Sequence, residues 1–249
     1  MADAWLVKVD NLTKAFENHK VLDDVSVEVK KGENLVVFGQ SGTGKSVLLK
    51  CIIGLLTPDK GDIFINNKNV TKLKAKELNE VRKNIGFLFQ SAALYDSMTV
   101  RENLEFPLKK HKKLSQKEIN DKVFNTLELV SLEQAIDKMP SELSGGMRKR
   151  VGLARSIITD PELMLYDEPT TGLDPITTKE ISDLIISLQR KLNMTSIVVT
   201  HDLICAKIIA DRAIFLRNGK IAFEGKIDEL TKSTDPFLIN FFSDEIVKQ

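Results

Sequence analysis

The chain has 249 residues, 42% hydrophobic and 29% charged, enough apolar material for one large domain with a sizeable core. Lys and Arg number 36 against 35 Asp and Glu, so no global basic field marks a nucleic-acid binder, and none is expected as partner. The opening MADAWLVKVD lacks the regions of a signal peptide, and apolar runs such as 51–56 are too short to span a bilayer, so any membrane role is expected through a partner.

Alternation in Trp5-Leu6-Val7-Lys8-Val9, and again over 12–16 and 25–29, predicts antiparallel sheet, with Trp5 half-buried. Phe16 falls on a short edge-like strand, where its ring either stacks on a nucleotide base or packs in the core. Lys31-Gly32 is a turn into the apolar run Leu35-Val36-Val37-Phe38. There follows GQSGTGKS: Gly39, Gln40, Ser41, Gly42, Thr43, Gly44, Lys45 and Ser46. A glycine-rich loop between a strand and a helix points successive N–H groups inward and adds the helix's positive end, which makes an anion cradle. Lys45 is expected to reach the β- and γ-phosphates and Ser46 to ligate Mg²⁺. This pattern predicts binding of a nucleoside triphosphate.

Beyond a turn at 57–61 come a strand at 62–66, a short helix at 75–81 and a buried strand at 85–89 ending at Gln90. From 91 to about 156 the period is helical. Ile119, Val123, Leu127 and Val130 share one face, and Ser115 with Glu118 has capping-box spacing. The run Lys109-Lys110-His111-Lys112-Lys113 reads as a solvated loop, the alternative being a patch for anionic lipid headgroups. LSGGM at 143–147 precedes a helix expected from Arg148 to 158; Ser144 and the N–H groups of Gly145 and Gly146 make a second anion-binding helix start. One γ-phosphate does not need two such cradles from one subunit, so this one is expected to serve a nucleotide held by a neighbouring copy.

Leu163-Met164-Leu165-Tyr166 is an apolar strand ending in Asp167 and Glu168. Phosphoryl transfer needs one acid for Mg²⁺ and one to orient and deprotonate the attacking water; Asp167 suits the first role and Glu168 the second. Ile181, Leu184, Ile185 and Leu188 predict a helix, 196–199 a strand with His201 just past its end, and Asn218-Gly219 the turn of a hairpin over 213–224. The tail from 235 carries Phe237, Phe241 and Phe242, which need cover from the domain or a partner. Cys51 and Cys205 read as two reduced, buried thiols on helices. The pattern predicts an α/β P-loop NTPase in a single domain. Its parts are a mostly parallel sheet core with an antiparallel β flank (1–90 and 157–225), an inserted α-helical subdomain (91–156) and a tail (226–249).

GQSGTGKS, Gln90, LSGGM, LYDEP, TGLDP and His201, in that order over nearly the whole chain, resemble the ATP-binding subunit of ABC transporters. The resemblance implies two subunits paired head to tail, sandwiching two ATP between the P-loop of one and the LSGG of the other. It implies that Gln90 contacts Mg²⁺ and the attacking water, that Asp174 reaches across the dimer and that His201 contacts the γ-phosphate. Phe16 matches the adenine-stacking aromatic, commonly Tyr; Met147 stands where Gln is usual, and activity is expected to survive it. The stretch SAALYDSMTVRENLEFPL at 91–108 is similar to the Mla/Mce-type lipid-transport ATPases. That likeness implies a peripheral subunit on the cytoplasmic face of a bacterial inner membrane, powering phospholipid or other lipid transport with permease subunits and an MCE-domain lipid-binding protein. Tyr95, Met98 and Phe106 are the expected permease contacts, core packing being the alternative. Amino-acid import, lipoprotein release, and a cell-division-type ATPase that clamps a partner without moving a substrate remain open; DNA repair or translation is disfavoured.

Overall fold

A computed structural model describes residues 5–17, 19–111 and 114–247. β1 (Trp5–Phe16) and β2 (His19–Lys30) form an antiparallel ribbon in which Val25, Val27 and Val29 are buried and Ser26, Glu28 and Lys30 exposed. The two strands expected over 5–16 are one, because register shifts on either side of Leu12, next to Asn11 at φ 49°, absorb the break between them. β3 (Asn34–Phe38) is buried along its whole length and leads to α1 (Lys45–Ile52). β4 (Lys60–Ile65) pairs with β1, and the two-residue β5 (Lys68–Asn69), which carries no alternation to announce it, completes a four-stranded antiparallel sheet in the order β2-β1-β4-β5.

α2 (Ala75–Arg82) and β6 (Ile85–Leu88) precede three helices: α3 (Val100–His111), α4 (Gln116–Leu129) and α5 (Gly145–Ile157). Ser115 caps α4: its hydroxyl accepts from Glu118 N at 3.3 Å and Glu118 Oε2 accepts from Ser115 N at 2.7 Å. Residues 109–111 close α3 instead of starting a loop, and Lys109 is paired with Glu105 one turn back at 2.6 Å; residues 112 and 113 lie outside the described residues. α5 starts three residues earlier than expected. Ser144 serves as its N-cap, so Gly145 and Gly146, poor helix formers, occupy its first turn.

The remaining elements are β7 (Leu163–Asp167), α6 (Pro175–Leu192), β8 (Thr195–Val199), α7 (Leu203–Ile209), β9 (Arg212–Arg217), β10 (Lys220–Gly225), α8 (Ile227–Thr231) and α9 (Pro236–Val247). They complete a mixed α/β fold. Its larger sheet runs β10-β9-β3-β8-β7-β6, parallel except for β10, which returns through Asn218 and Gly219 at φ 50° and 75°. β3 divides its side chains between two cores. Leu35 and Val37 face the cluster shared with α1 and the antiparallel sheet; Val36 and Phe38 face the one that takes in α3 to α6 and the tail.

The tail finds its cover within the chain. Phe241 and Phe242 are 7% and 4% exposed, and Phe38 meets Phe242 and Phe215 meets Phe241 edge-on, at centroid distances of 5.7 and 4.7 Å. Cys51 in α1 and Cys205 in α7 are buried free thiols. No helix among the described residues is long and apolar enough to cross a membrane.

Candidate nucleotide site

β3 lies between β8 and β9, all three parallel, and hands residues 39–44 to the C-terminal edge of the sheet, where open α/β sheets hold ligands. The loop is pinned by Thr43, whose N and Oγ1 both donate to Gln40 O, at 3.3 and 2.8 Å. Gly44 caps α1 at φ 98°, and a Cβ there would sit 2.7 Å from the carbonyl oxygen of Val21. Only glycine fits that approach.

Lys45 is 7% exposed; its ammonium donates to Gly39 O at 2.7 Å and Gln40 O at 3.1 Å and stands 3.7 Å from Glu168 Oε1. Ser46 Oγ donates to Asp167 Oδ1 at 2.7 Å. Glu168, one residue past β7, takes φ 52° and donates its N–H to Val199 O at 2.9 Å, which ties it to the end of β8. His201 is two residues past that end, and its Nδ1 lies 2.8 Å from Glu168 Oε2. Burial pushes the Glu168 carboxyl up, but the His201 hydrogen bond and the charges of His201 and Lys45 outweigh it, so the group sits below the usual carboxylate value. An ionised Glu168 requires the proton on Nδ1, which makes that nitrogen the donor.

These groups share a cleft of about 890 Å³ lined by Phe16, Gln40, Ser41, Gly42, Gly44, Lys45, Ser46, Gln90, Glu168 and His201. Phe16 is 45% exposed with the Lys14 ammonium 5.4 Å from its ring centroid, so core packing is not its role. Gly39 and Thr43 shape the loop, and Asp167 joins through Ser46. Ser46, Asp167 and Gln90 offer hydroxyl, carboxylate and amide oxygens, the hard donors Mg²⁺ takes. Among the described residues no cluster of three or more His, Cys, Asp or Glu competes for a softer metal. The residues fit Mg²⁺ with phosphate and water completing its shell.

Sequence reasoning missed two contributors. Lys149, buried on α5, donates to Gln90 O at 2.6 Å and Glu168 O at 3.4 Å, bracing both backbones; burial lowers its pKa. Nothing in its sequence neighbourhood marks a lysine on an amphipathic helix as buried. α9 contributes Phe237, Asn240 and Phe241 to the cleft wall, a position only the tertiary fold reveals.

Ser144, Gly145, Gly146 and Asp174 are not brought to this cleft. With Met147 and Thr177 they line another, of about 470 Å³, and the two have no lining residue in common among those described. Ser144 Oγ accepts from Met147 N at 3.3 Å. Asp174 caps α6, accepting from Thr177 Oγ1 at 2.6 Å and from the N–H groups of Thr177 and Ile176. Those bonds, that of the Thr177 hydroxyl first, lower its pKa.

The ABC transporter family model matches residues 22–171, more than half of the chain. The chain belongs to the ABC transporter family. It is an ATP-binding cassette, the ATPase subunit of a transporter. The cassette is 42% identical over 240 residues to the intermembrane phospholipid transport system ATP-binding protein MlaF of Haemophilus influenzae, covering 96% of this chain and 91% of that one. It is 40% identical to the probable ribonucleotide transport ATP-binding protein Mkl of Mycobacterium leprae, covering 95% of this chain and 68% of the relative. Among solved structures, an ATP-binding cassette dimer in a post-hydrolysis state with ADP and Pi superposes with a TM-score of 0.82 at 34% identity, over 89% of this chain and 98% of that one.

Proposed function

We propose that two copies of this cassette pair head to tail around two ATP molecules and power phospholipid transport between bacterial membranes, through permease subunits and an MCE-domain partner. The observation that carries the pairing is the separation of the two anion-binding helix starts. The P-loop and Glu168 line one cleft, and Ser144 to Gly146 with Asp174 line another, so one chain cannot enclose the γ-phosphate from both sides. A second copy supplies the missing half, a reading supported by the likeness to a cassette that is dimeric and bound to ADP and Pi. The lipid assignment is supported by the likeness to MlaF over almost the full length of both chains.

In this reading the loop N–H groups and Lys45 hold the β- and γ-phosphates, Phe16 stacks on the base, and Ser46, Asp167 and Gln90 hold Mg²⁺. Mg²⁺ there would neutralise charge on the phosphate oxygens. Glu168, oriented by His201, takes the proton of the attacking water, and His201 meets the γ-phosphate. Residues 91–156 act as the lobe that passes closure to the permease. Together with residues from 82–87 and Thr159 they line a groove in which the rings of Tyr95 and Phe106, 44% and 40% exposed, lie 5.0 Å apart beside Arg155. Arg155 stands 5.5 Å from the Tyr95 ring, and its Nη1 is buried without a hydrogen-bond partner among the described residues, a deficit that an inserted carbonyl or carboxylate would relieve. Met98 is half-buried and outside this groove.

The test is purification of the intact complex with its bound lipid, with turnover measured for wild type and Glu168→Gln. Phospholipid together with a permease and an MCE-domain protein is the expected content. Glu168→Gln should retain ATP, accumulate as a dimer and lose about 10²- to 10⁴-fold in turnover. A complex lacking lipid and carrying a cell-division partner, or near-wild-type turnover in the variant, would overturn the corresponding half of the proposal.

A further inference from the structure

The C-terminal helix α9 is anchored directly behind the phosphate loop. Asp235 Oδ1 caps it, accepting from Phe237 N and Leu238 N at 2.9 and 3.2 Å. Phe237, Leu238, Phe241 and Phe242 fall on one face, where Leu238, Phe241 and Phe242 are buried. Their aromatic partners are Phe215 and Phe38, and Phe38 is the residue immediately before Gly39. Phe237 is held between the Phe215 ring at 5.3 Å and the Arg217 guanidinium at 4.0 Å, so its position is fixed from two sides.

This docking places Phe237, Asn240 and Phe241 in the wall of the cleft that Phe16 also lines. The three Phe residues of the cleft thus come from distant parts of the chain, Phe16 from β1 and the others from α9. Asn240 is different in kind. It is exposed, its carboxamide carries both donors and an acceptor, and it has no hydrogen-bond partner among the described residues. A carboxamide beside aromatic faces, in the same cleft as a phosphate cradle, is the chemistry that recognises a nucleoside: a ring to bury and polar edges or hydroxyls to pair.

We propose that α9 forms a nucleoside-binding wall of its own chain's ATP site, with Phe237 contacting the base or ribose and Asn240 hydrogen-bonding to it. The assignment rests on the nucleotide-site reading above and extends it to residues outside the loop, the strand ends and Phe16. Because coupling is reciprocal, a nucleotide held by α9 must also hold α9 in place.

The experiment is calorimetric titration of the full-length protein with Mg²⁺-ATP and, separately, with Mg²⁺-tripolyphosphate, which has the phosphates but no nucleoside. Asn240→Ala should weaken ATP about three- to tenfold, the loss of one neutral hydrogen bond, and leave tripolyphosphate unchanged. Phe237→Ala should show the same selectivity. Lys45→Ala should weaken both ligands and serves as the control for the phosphate site. Amide exchange across α9 should slow on adding ATP and not on adding tripolyphosphate. ATP affinity unchanged in Asn240→Ala and Phe237→Ala, with Lys45→Ala still defective, overturns the nucleoside wall alone. Equal weakening of ATP and tripolyphosphate in those variants also overturns it, since the tail would then be shaping the loop and not reading the nucleoside. Absence of ATP binding to the wild type overturns the nucleotide site itself.

Discussion

The 2.8 Å contact between His201 Nδ1 and Glu168 Oε2 makes His201→Ala a pH-resolved test of the proposed hydrolytic centre. Burial alone would push the Glu168 carboxyl up; His201, by hydrogen bond and charge, and Lys45, by charge, hold it below the ordinary 4.5. Removing His201 takes away the strongest of the opposing interactions and leaves burial against Lys45 at 3.7 Å, so the pKa rises. A charge-assisted hydrogen bond contributes about 1.5–3 kcal/mol. The His201 side chain is 48% exposed, and solvent screening reduces the expected value to about 1–2 kcal/mol, or about 5- to 30-fold in rate. The sign for stability follows from the depressed pKa. Ionised Glu168 stabilises the native state above the unfolded value and loses that contribution as pH falls through the native one; the variant loses it at higher pH. Phosphate release at saturating ATP, followed from pH 5 to 9, should show a lower plateau and an acid limb displaced upward. A lower plateau with the acid limb unmoved would refute the claim that His201 acts through Glu168.

Gly44→Ala should destabilise the fold by about 1–3 kcal/mol and abolish ATP binding, since the new Cβ would sit 2.7 Å from Val21 O at φ 98°; an unchanged thermal midpoint contradicts this. Ser144→Ala should cost about 0.5–1 kcal/mol through its cap on α5 yet reduce turnover far more, and turnover equal to wild type would remove the second cleft from the mechanism. Burial pushes the Cys51 and Cys205 thiols up to about 11 and about 12, so a thiol reagent at pH 8 should label neither in the native protein and both after denaturation. Rapid native labelling would contradict their burial.

Much of the fold is legible where local chemistry and tertiary role agree. Val25, Val27 and Val29 alternate because one face of β2 is covered, and Ser115 with Glu118 closes its box because the helix ends need partners. Three features escape the pattern. The start of α5 is hidden because Gly145 and Gly146 have low helix propensity; the Ser144 cap makes their helical turn possible. The role of α9 depends on Phe38 and Phe215, some two hundred and some twenty residues earlier, and no periodicity in the tail names them. Lys149 looks like any surface lysine until Gln90 O and Glu168 O are brought to it. The P-loop residues and the carboxylates are readable because their chemistry demands those types in that order; their supports are generic side chains given a task by position.

The placement of β3 has a consequence for synthesis on the ribosome. It covers residues 34–38, but its sheet neighbours are β8 at 195–199 and β9 at 212–217. At about 5–20 residues per second, on the order of 10–30 s passes between the appearance of this strand and that of its first partner. Throughout that interval the four apolar residues Leu35, Val36, Val37 and Phe38 and the glycine loop behind them lack both sheet neighbours of β3. The nascent chain then carries an unpaired apolar strand open to aggregation, and the phosphate loop takes shape only after two strands made much later than itself.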